Sequence, residues 1–256
     1  MTEWKECLIS DLGTVVGGAT PSTKDSSNYE GGKIAWITPK DLSNYEDRYI
    51  SRGERNITEK GLSGCSAQLM PKHSVLFTSR APIGYVAIAA NEVCTNQGFK
   101  SVVPNEDTDY LFLYYLLKYN KNKIEGLGSG TTFKEVSGNT MKGIKVKVPT
   151  TLSAQKAIGE FLNSIDCKIE ENRRINKNLA ELLQAANYYH RTPDYPGVHD
   201  YHRQKTTSVL CPYLLSRQIN SIRQRLARTR KHNQQCYLAG CCSVSSNLLG
   251  KYHCWQ

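Results

Sequence analysis

No stretch of this chain stays apolar for the roughly 18 to 20 residues needed to span a bilayer. The opening Met1-Thr2-Glu3-Trp4-Lys5-Glu6 also lacks the basic-then-apolar layout of a secretory signal. The expected setting is cytoplasmic, with no membrane partner. There is no Pro-Pro pair among the 9 prolines. That removes the Asn/Asp-Pro-Pro-aromatic motif of methyltransferases acting on an exocyclic amine. Histidine is scarce too, with His73 alone before His190, so a Ser or Cys nucleophile, which needs a base within reach, has a single histidine to draw on. Gly126-Leu127-Gly128-Ser129-Gly130 follows a helical pattern instead of a strand and lacks the Lys-Ser/Thr ending of a phosphate loop. Asp166-Cys167-Lys168 has the acidic-x-Lys form of a nuclease triplet, but no Pro-Asp precedes it, and it reads as a solvated turn of helix. Catalysis by this chain alone is not expected.

Charge and cysteine are unevenly spread. The net charge of +10 suggests nucleic acid. Yet residues 1–190 hold 23 Lys/Arg against 21 Asp/Glu, whereas residues 191–256 hold 10 against Asp194 and Asp200 alone. Any anion-binding surface in the first part must therefore come from local placement. Cys7, Cys65, Cys94 and Cys167 show no metal-ligand spacing and read as small buried hydrophobes. Cys211, Cys236, Cys241, Cys242 and Cys254 crowd the end, without the usual zinc spacings. Residues 191–256 form a basic, Cys-rich tail with no Glu, expected to be disordered or non-native, with a basic arm for DNA as the other reading.

Residues 1–149 read as a mixed domain. Strand-like runs occur at Ile34–Ile37, Val75–Thr78, Tyr85–Ala89, Gly98–Val103 and Ile144–Val148, the last in strict alternation. A helix is predicted from Tyr110 to Ile124, capped by Asp109 and apolar nearly all round, which implies packing on more than one side.

Residues 150–190 are of a different kind. Pro149 and the hydroxyls of Thr150, Thr151 and Ser153 announce a helix running from about Ser153 to Tyr189. Along it Ile158, Leu162, Ile165, Ile169, Asn172, Asn176, Leu179 and Leu183 recur in alternating steps of four and three, a heptad seam. Two asparagines at its middle are of the kind that fix register at some cost in stability. The domain before it is too short to cover the whole helix, so the seam favours pairing with a second chain, with a helix folded back on its own domain as the other reading.

Recognition groups are normally carried on loops of a rigid scaffold. Lys24, Thr38, Lys40, Ser79, Arg80, Ser129, Thr131 and Lys134 all lie in Gly/Pro-rich loops. Hydroxyls and lysines suit phosphates, and Arg80 can fork onto guanine O6 and N7. Asn96 and Gln97 have the chemistry of adenine readers.

The motifs Gly17-Gly18-Ala19-Thr20-Pro21-Ser22, Ile34–Leu42, Ala81-Pro82-Ile83-Gly84, Thr95–Lys100 and Gly128–Phe133, followed by the Pro-led helix, occur in an order that resembles half of a type I restriction–modification specificity (S) subunit. The resemblance covers about residues 3–190. It implies an α+β fold: a mixed, largely antiparallel target-recognition domain followed by a long coiled-coil spacer helix. It implies a non-catalytic reader of double-stranded DNA, with Asn96, Gln97, Trp36 and Gly84 as scaffold residues. Methyltransferase (M) subunits would use S-adenosylmethionine to methylate adenine N6, and a restriction (R) subunit would join where the system cleaves. No cofactor is implied in this chain. S subunits carry two such units with antiparallel helices, and one is seen here. Self-association through the helix would restore a two-reader frame on a bipartite target. The other expectation is a truncated or silent half-subunit that binds the M subunit as a decoy without reading DNA.

Overall fold

The computed structural model describes residues 3–130 and 134–191, with side chains as far as Gln184. Strand β1 (Trp4–Leu8) leads through the short α1 (Ile9–Leu12) into β2 (Gly13–Gly17). Then follow β3 (Ile34–Ile37), β4 (Tyr49–Ile50), β5 (Asn56–Ile57) and α2 (Glu59–Ser63). The second half of the domain runs β6 (Val75–Phe77), β7 (Val86–Ala89), β8 (Cys94–Thr95), β9 (Lys100–Pro104), α3 (Tyr110–Tyr119), α4 (Lys121–Gly126), α5 (Gly138–Lys142) and β10 (Lys145–Pro149). Last comes α6, Leu152–Arg191.

The largest sheet has the order β2-β9-β6-β7-β4, flanked by a β5-β3-β8 sheet and a β1-β10 ribbon. Pairing is antiparallel except for β3 with β8 and β4 with β7. The alternation in β6 explains its central place. Val75 and Phe77 face one core, with α3, while Leu76 faces another, with Ile37 and Phe99. Buried on both faces, the strand reads as a continuous apolar run. In β10 the predicted alternation is observed: Lys145 and Lys147 are exposed, Val146 and Val148 buried.

The helix predicted to reach Ile124 breaks at Asn120, whose side chain donates to the Leu116 carbonyl and whose backbone ends α3 and caps α4. Asp109 caps α3 as expected, accepting from the Phe112 N–H at 2.8 Å. Leu111, Phe112, Leu113, Tyr114, Leu116 and Leu117 are all buried, so the helix is indeed packed on several sides.

The start of α6 lies against the N-terminus of α3. Buried Gln155 accepts from the Asp109 N–H at 3.1 Å. At Gly159 the approach is close enough that a β-carbon would meet the Phe112 nitrogen and Asp109 Oδ1 at 2.8 Å. Further along, Arg48 is buried and reaches across to α6. Its Nε and Nη2 donate to Glu170 Oε1 and Oε2, each at 3.0 Å. Nη1 donates to the Asn163 carbonyl at 3.2 Å and to Asn163 Oδ1. Burial opposes its charge, but bonds to Cys167, Glu170 and Tyr115 outweigh that and hold the guanidinium well above its ordinary pKa. The triplet at 166–168 is a largely exposed turn of helix, as expected, with Cys167 and Lys168 exposed and Asp166 half-buried. Asp166 accepts from the Tyr115 hydroxyl at 2.9 Å, and Cys167 Sγ lies 3.1 Å from Arg48 Nη2. Of the four early cysteines, Cys94 is buried, with its thiol pushed up to about 12 chiefly by burial. Cys7 and Cys65 are half-buried and Cys167 is exposed, contrary to the expectation of four core residues.

The tight contact at Gly159 yields a stability prediction. A helical Gly→Ala change alone gains about 1 kcal/mol, but overpacking against backbone costs about 1–3 kcal/mol. Gly159→Val should therefore lower stability by about 2 kcal/mol in urea unfolding. An unchanged midpoint would show that α6 does not rest on α3.

Candidate nucleic-acid interface

Three loops meet at an open cleft of about 660 Å³, lined by Thr38, Pro39, Lys40, Arg80, Ala81, Pro82, Ile83, Asn96, Gly98, Glu125 and Lys134. Four of the eight residues expected to contact DNA, Thr38, Lys40, Arg80 and Lys134, are brought together here from positions up to 96 apart in sequence.

Each loop is fixed by local chemistry. Thr38 opens the 3₁₀ turn Pro39–Leu42, donating from its N–H (2.7 Å) and hydroxyl (2.6 Å) to Asp41 Oδ2. Asp41 Oδ1 accepts from the Glu54 N–H at 2.7 Å, which ties the turn to the next loop. The Arg80 loop turns through a left-handed Ala81 (φ 51°), a cis Ala81-Pro82 bond and a left-handed Gly84 (φ 95°). At its base the buried Thr78 hydroxyl donates to the Pro82 carbonyl (2.7 Å) and accepts from the Tyr85 N–H (2.8 Å). The third loop is a narrow neck in which Ser129 and Glu135 exchange backbone hydrogen bonds of 3.1 and 2.9 Å.

The cations of the cleft are only loosely held. Lys40 pairs with Glu54 at 2.7 Å, both well exposed, and that hydrogen bond raises its pKa. Glu135 is shared by Arg80 (3.6 Å) and Lys100 (3.4 Å). Such surface pairs contribute about 0–1 kcal/mol, so a phosphate can replace the carboxylate partner. Lys40, Arg80 and Lys134 can hold an anionic backbone, and Arg80 is the group with the geometry for a base edge.

The other expected contacts lie elsewhere. Ser79 is fully buried: its N–H donates to Gly98, its carbonyl accepts from Val136, and its hydroxyl is inaccessible to a duplex. Ser79 does lie in the loop after β6, but its burial removes it from the expected DNA contacts. Lys24 is exposed in the turn before Ser26–Asn28, outside the cleft lining. Ser129 is exposed at the loop neck, and Thr131 falls outside the described residues. Asn96 and Gln97 act within the scaffold. Asn96 Oδ1 accepts from the Gly98 N–H at 2.9 Å, and Gln97 accepts from Thr20. Trp36 is buried and donates to the Ala19 carbonyl at 3.0 Å. His73 stacks on Tyr110 at 4.0 Å, and burial with Lys72 lowers its pKa against the pull of Asp109. Sequence reasoning missed Glu135, whose role as a shared counter-ion depends on strand pairing and left no local signal. Among the described residues no group of three or more His, Cys, Asp or Glu can hold a metal ion. The cysteines considered for zinc lie outside them. No helix of the described residues is long and apolar enough to cross a membrane.

The helix shows a second candidate surface. Ile158 and Leu162 are half-buried against the domain. Beyond them Ile165, Ile169, Leu179 and Leu183 are 42 to 65% exposed, as is Phe161 beside them. Asn172 and Asn176 are exposed at the middle of the same face. The exposed apolar residues thus form two groups, Ile165 with Ile169 and Leu179 with Leu183, on either side of the two asparagines.

Comparison with known proteins follows the same lines. The family model described as type I restriction modification DNA specificity domain matches residues 1–181. The type I restriction enzyme MjaIX specificity subunit of Methanocaldococcus jannaschii is 46% identical over 182 residues, covering 70% of this chain and 42% of that protein. The EcoR124I/EcoR124II specificity subunit of Escherichia coli is 27% identical over 172 residues, 64% of this chain and 41% of that one. This chain therefore spans about two fifths of the length of these relatives. Among solved structures, the HsdS subunit from Thermoanaerobacter tengcongensis matches with a TM-score of 0.50 at 19% identity, covering 67% and 39% of the two chains. A chain of a type I R-M system matches at 0.56, also at 19% identity, covering 71% and 43%. At that identity the likeness speaks for the fold: a mixed, largely antiparallel domain followed by a long helix.

The counter-ion role of Glu135 generates a direct test. Glu135→Gln frees Arg80, the partner of Glu135 that lines the cleft, for one phosphate, so binding to a short DNA duplex should tighten, and the log–log salt slope should steepen by about 0.9. Unchanged affinity and slope would place Arg80 off the path of the duplex.

Proposed function

Because the chain belongs to the type I restriction–modification DNA specificity family, we propose that it reads one half of a bipartite DNA target and holds it for partner methyltransferase subunits. The cleft of Thr38, Lys40, Arg80 and Lys134 is the reading surface, with Lys24, Ser129 and Thr131 as flanking contacts. Phosphates fix the register and Arg80 contributes to base discrimination. The chain itself carries out no chemistry. Methylation of adenine N6 belongs to the M subunits with S-adenosylmethionine, and cleavage, where it occurs, to an R subunit. The assembly is cytoplasmic.

The observation that carries this reading is the uncovered seam on a helix docked to the domain. Its spacing suits antiparallel pairing of two copies about a two-fold axis midway between Asn172 and Asn176. Asn172 then faces Asn176 of the second copy, Ile169 faces Leu179, and Ile165 faces Leu183. From Ile165 to Leu183 each apolar position of the seam meets an apolar one and each asparagine an asparagine, which suits the closed symmetry of a homodimer. Two reading domains then stand at opposite ends of one helical pair. One observation favours the alternative of a half-subunit that binds its methyltransferase as a decoy: Lys40 and Arg80 already have carboxylate partners.

Co-expression of the chain with its methyltransferase subunit, followed by mapping of methylated adenines, tests the proposal. The expected result is one interrupted palindrome carrying the mark. Co-purification of the two proteins without any mark would support the decoy, and an asymmetric target would exclude the homodimer. Ile169→Glu, at an exposed position, should leave the domain folded while abolishing self-association in light scattering, and the two-part mark with it.

A further inference from the structure

Two sets of contacts fix the direction of α6 relative to the domain. At one end are Gln155 and Gly159 against Asp109 and Phe112 of α3. At the other is Arg48, gripping Asn163 and both carboxylate oxygens of Glu170. Residues 155, 159, 163, 167 and 170 form their own stripe, in steps of four and three, turned away from the heptad seam. The two ends of this stripe are 15 residues apart, about 22 Å along the helix. Two separated anchors set a line, whereas one leaves a pivot.

The second anchor is built to be rigid. The Arg48 carbonyl accepts from the Ile88 N–H at 2.7 Å, so the residue is part of the sheet that carries the cleft loops. Its side chain is buried, and the Tyr115 hydroxyl that it touches at 3.4 Å donates in turn to Asp166. A bidentate guanidinium–carboxylate pair defines orientation as well as distance.

We infer that Arg48 is a specificity-determining positioning residue: by clamping Glu170 it fixes the angle of the spacer helix and thereby the number of base pairs between the two half-sites. This rests on the two-reader function proposed above. Leverage gives the scale. From Gln155 to Leu183 the helix extends about 42 Å, so a tilt of about 10° moves its end by about 7 Å. That is the rise of about two base pairs at 3.4 Å each. The seam residues and the cleft residues are untouched by Arg48, so half-site recognition and pairing should survive its loss.

The test compares wild-type, Arg48→Lys and Arg48→Met full-length chains, each co-expressed with the methyltransferase subunit, by genome-wide mapping of methylated adenines. Wild type should mark one motif with a single gap length. Arg48→Met should mark the same half-sites with gaps spread over one or two base pairs on either side. Arg48→Lys, which keeps the charge and loses the fork, should give a narrower spread. The same single gap in both variants would overturn the inference while leaving the function intact. Loss of the mark in both variants, with normal unfolding midpoints, would also overturn it, since Arg48 would then be needed for more than spacing. If Arg48→Met does not fold, Arg48→Lys and Glu170→Gln decide the matter by the same gap measurement. A wild-type chain that marks nothing would remove the two-reader function and this inference with it.

Discussion

The buried fork between Arg48 and Glu170 joins the two parts of the described structure. A half-length helix surface that faced only solvent would have nothing to hold it against a domain, since helix propensity alone fixes no direction. Gln155 and Gly159 supply contact at the start of α6, and their polar and steric terms are local. Arg48 supplies the long-range term, binding sheet to helix across 122 residues of sequence. A buried charge of this sort is a poor source of stability, because desolvation offsets most of the attraction. Its contribution is orientation, which is what a spacer requires.

The cleft shows the opposite use of charge. Lys40, Arg80 and Lys100 are paired with Glu54 and Glu135 at or near the surface, where water and salt weaken each pair. These carboxylates hold the cations in place without committing them. Beneath them the scaffold is closed: Thr78 and Asn96 spend their polar atoms on turns and strand ends. The cations of the cleft thus sit on loops whose shape the core has already set, so any ligand they take would leave little ordering to be done on binding.

How much of this was legible in the chain depends on the range of each interaction. The alternation of Ile144–Val148, the apolar run of Val75–Phe77 and the seam of α6 follow from periods of two and 3.6, and all three appear in the structure. The motif order pointed to the family, and the family match covers the same residues. Short strands such as β4, β5 and β8 escaped detection, since two residues carry no period. Ser79 lies in a loop as expected, and its neighbours Arg80 and Pro82 made it look accessible. Its burial comes from Gly98 and Val136, which are remote in sequence.

By itself, then, the sequence determined the heptad seam, the strand alternations and the order of loop motifs, because each is a local pattern with a fixed geometric period. Tertiary structure alone decided which loop residues share a cleft and which carboxylate answers which cation. It also decided that Arg48, unremarkable between Asp47 and Tyr49, becomes the anchor of a helix. Those outcomes depend on contacts between residues tens of positions apart, and no local pattern encodes a distance across a fold.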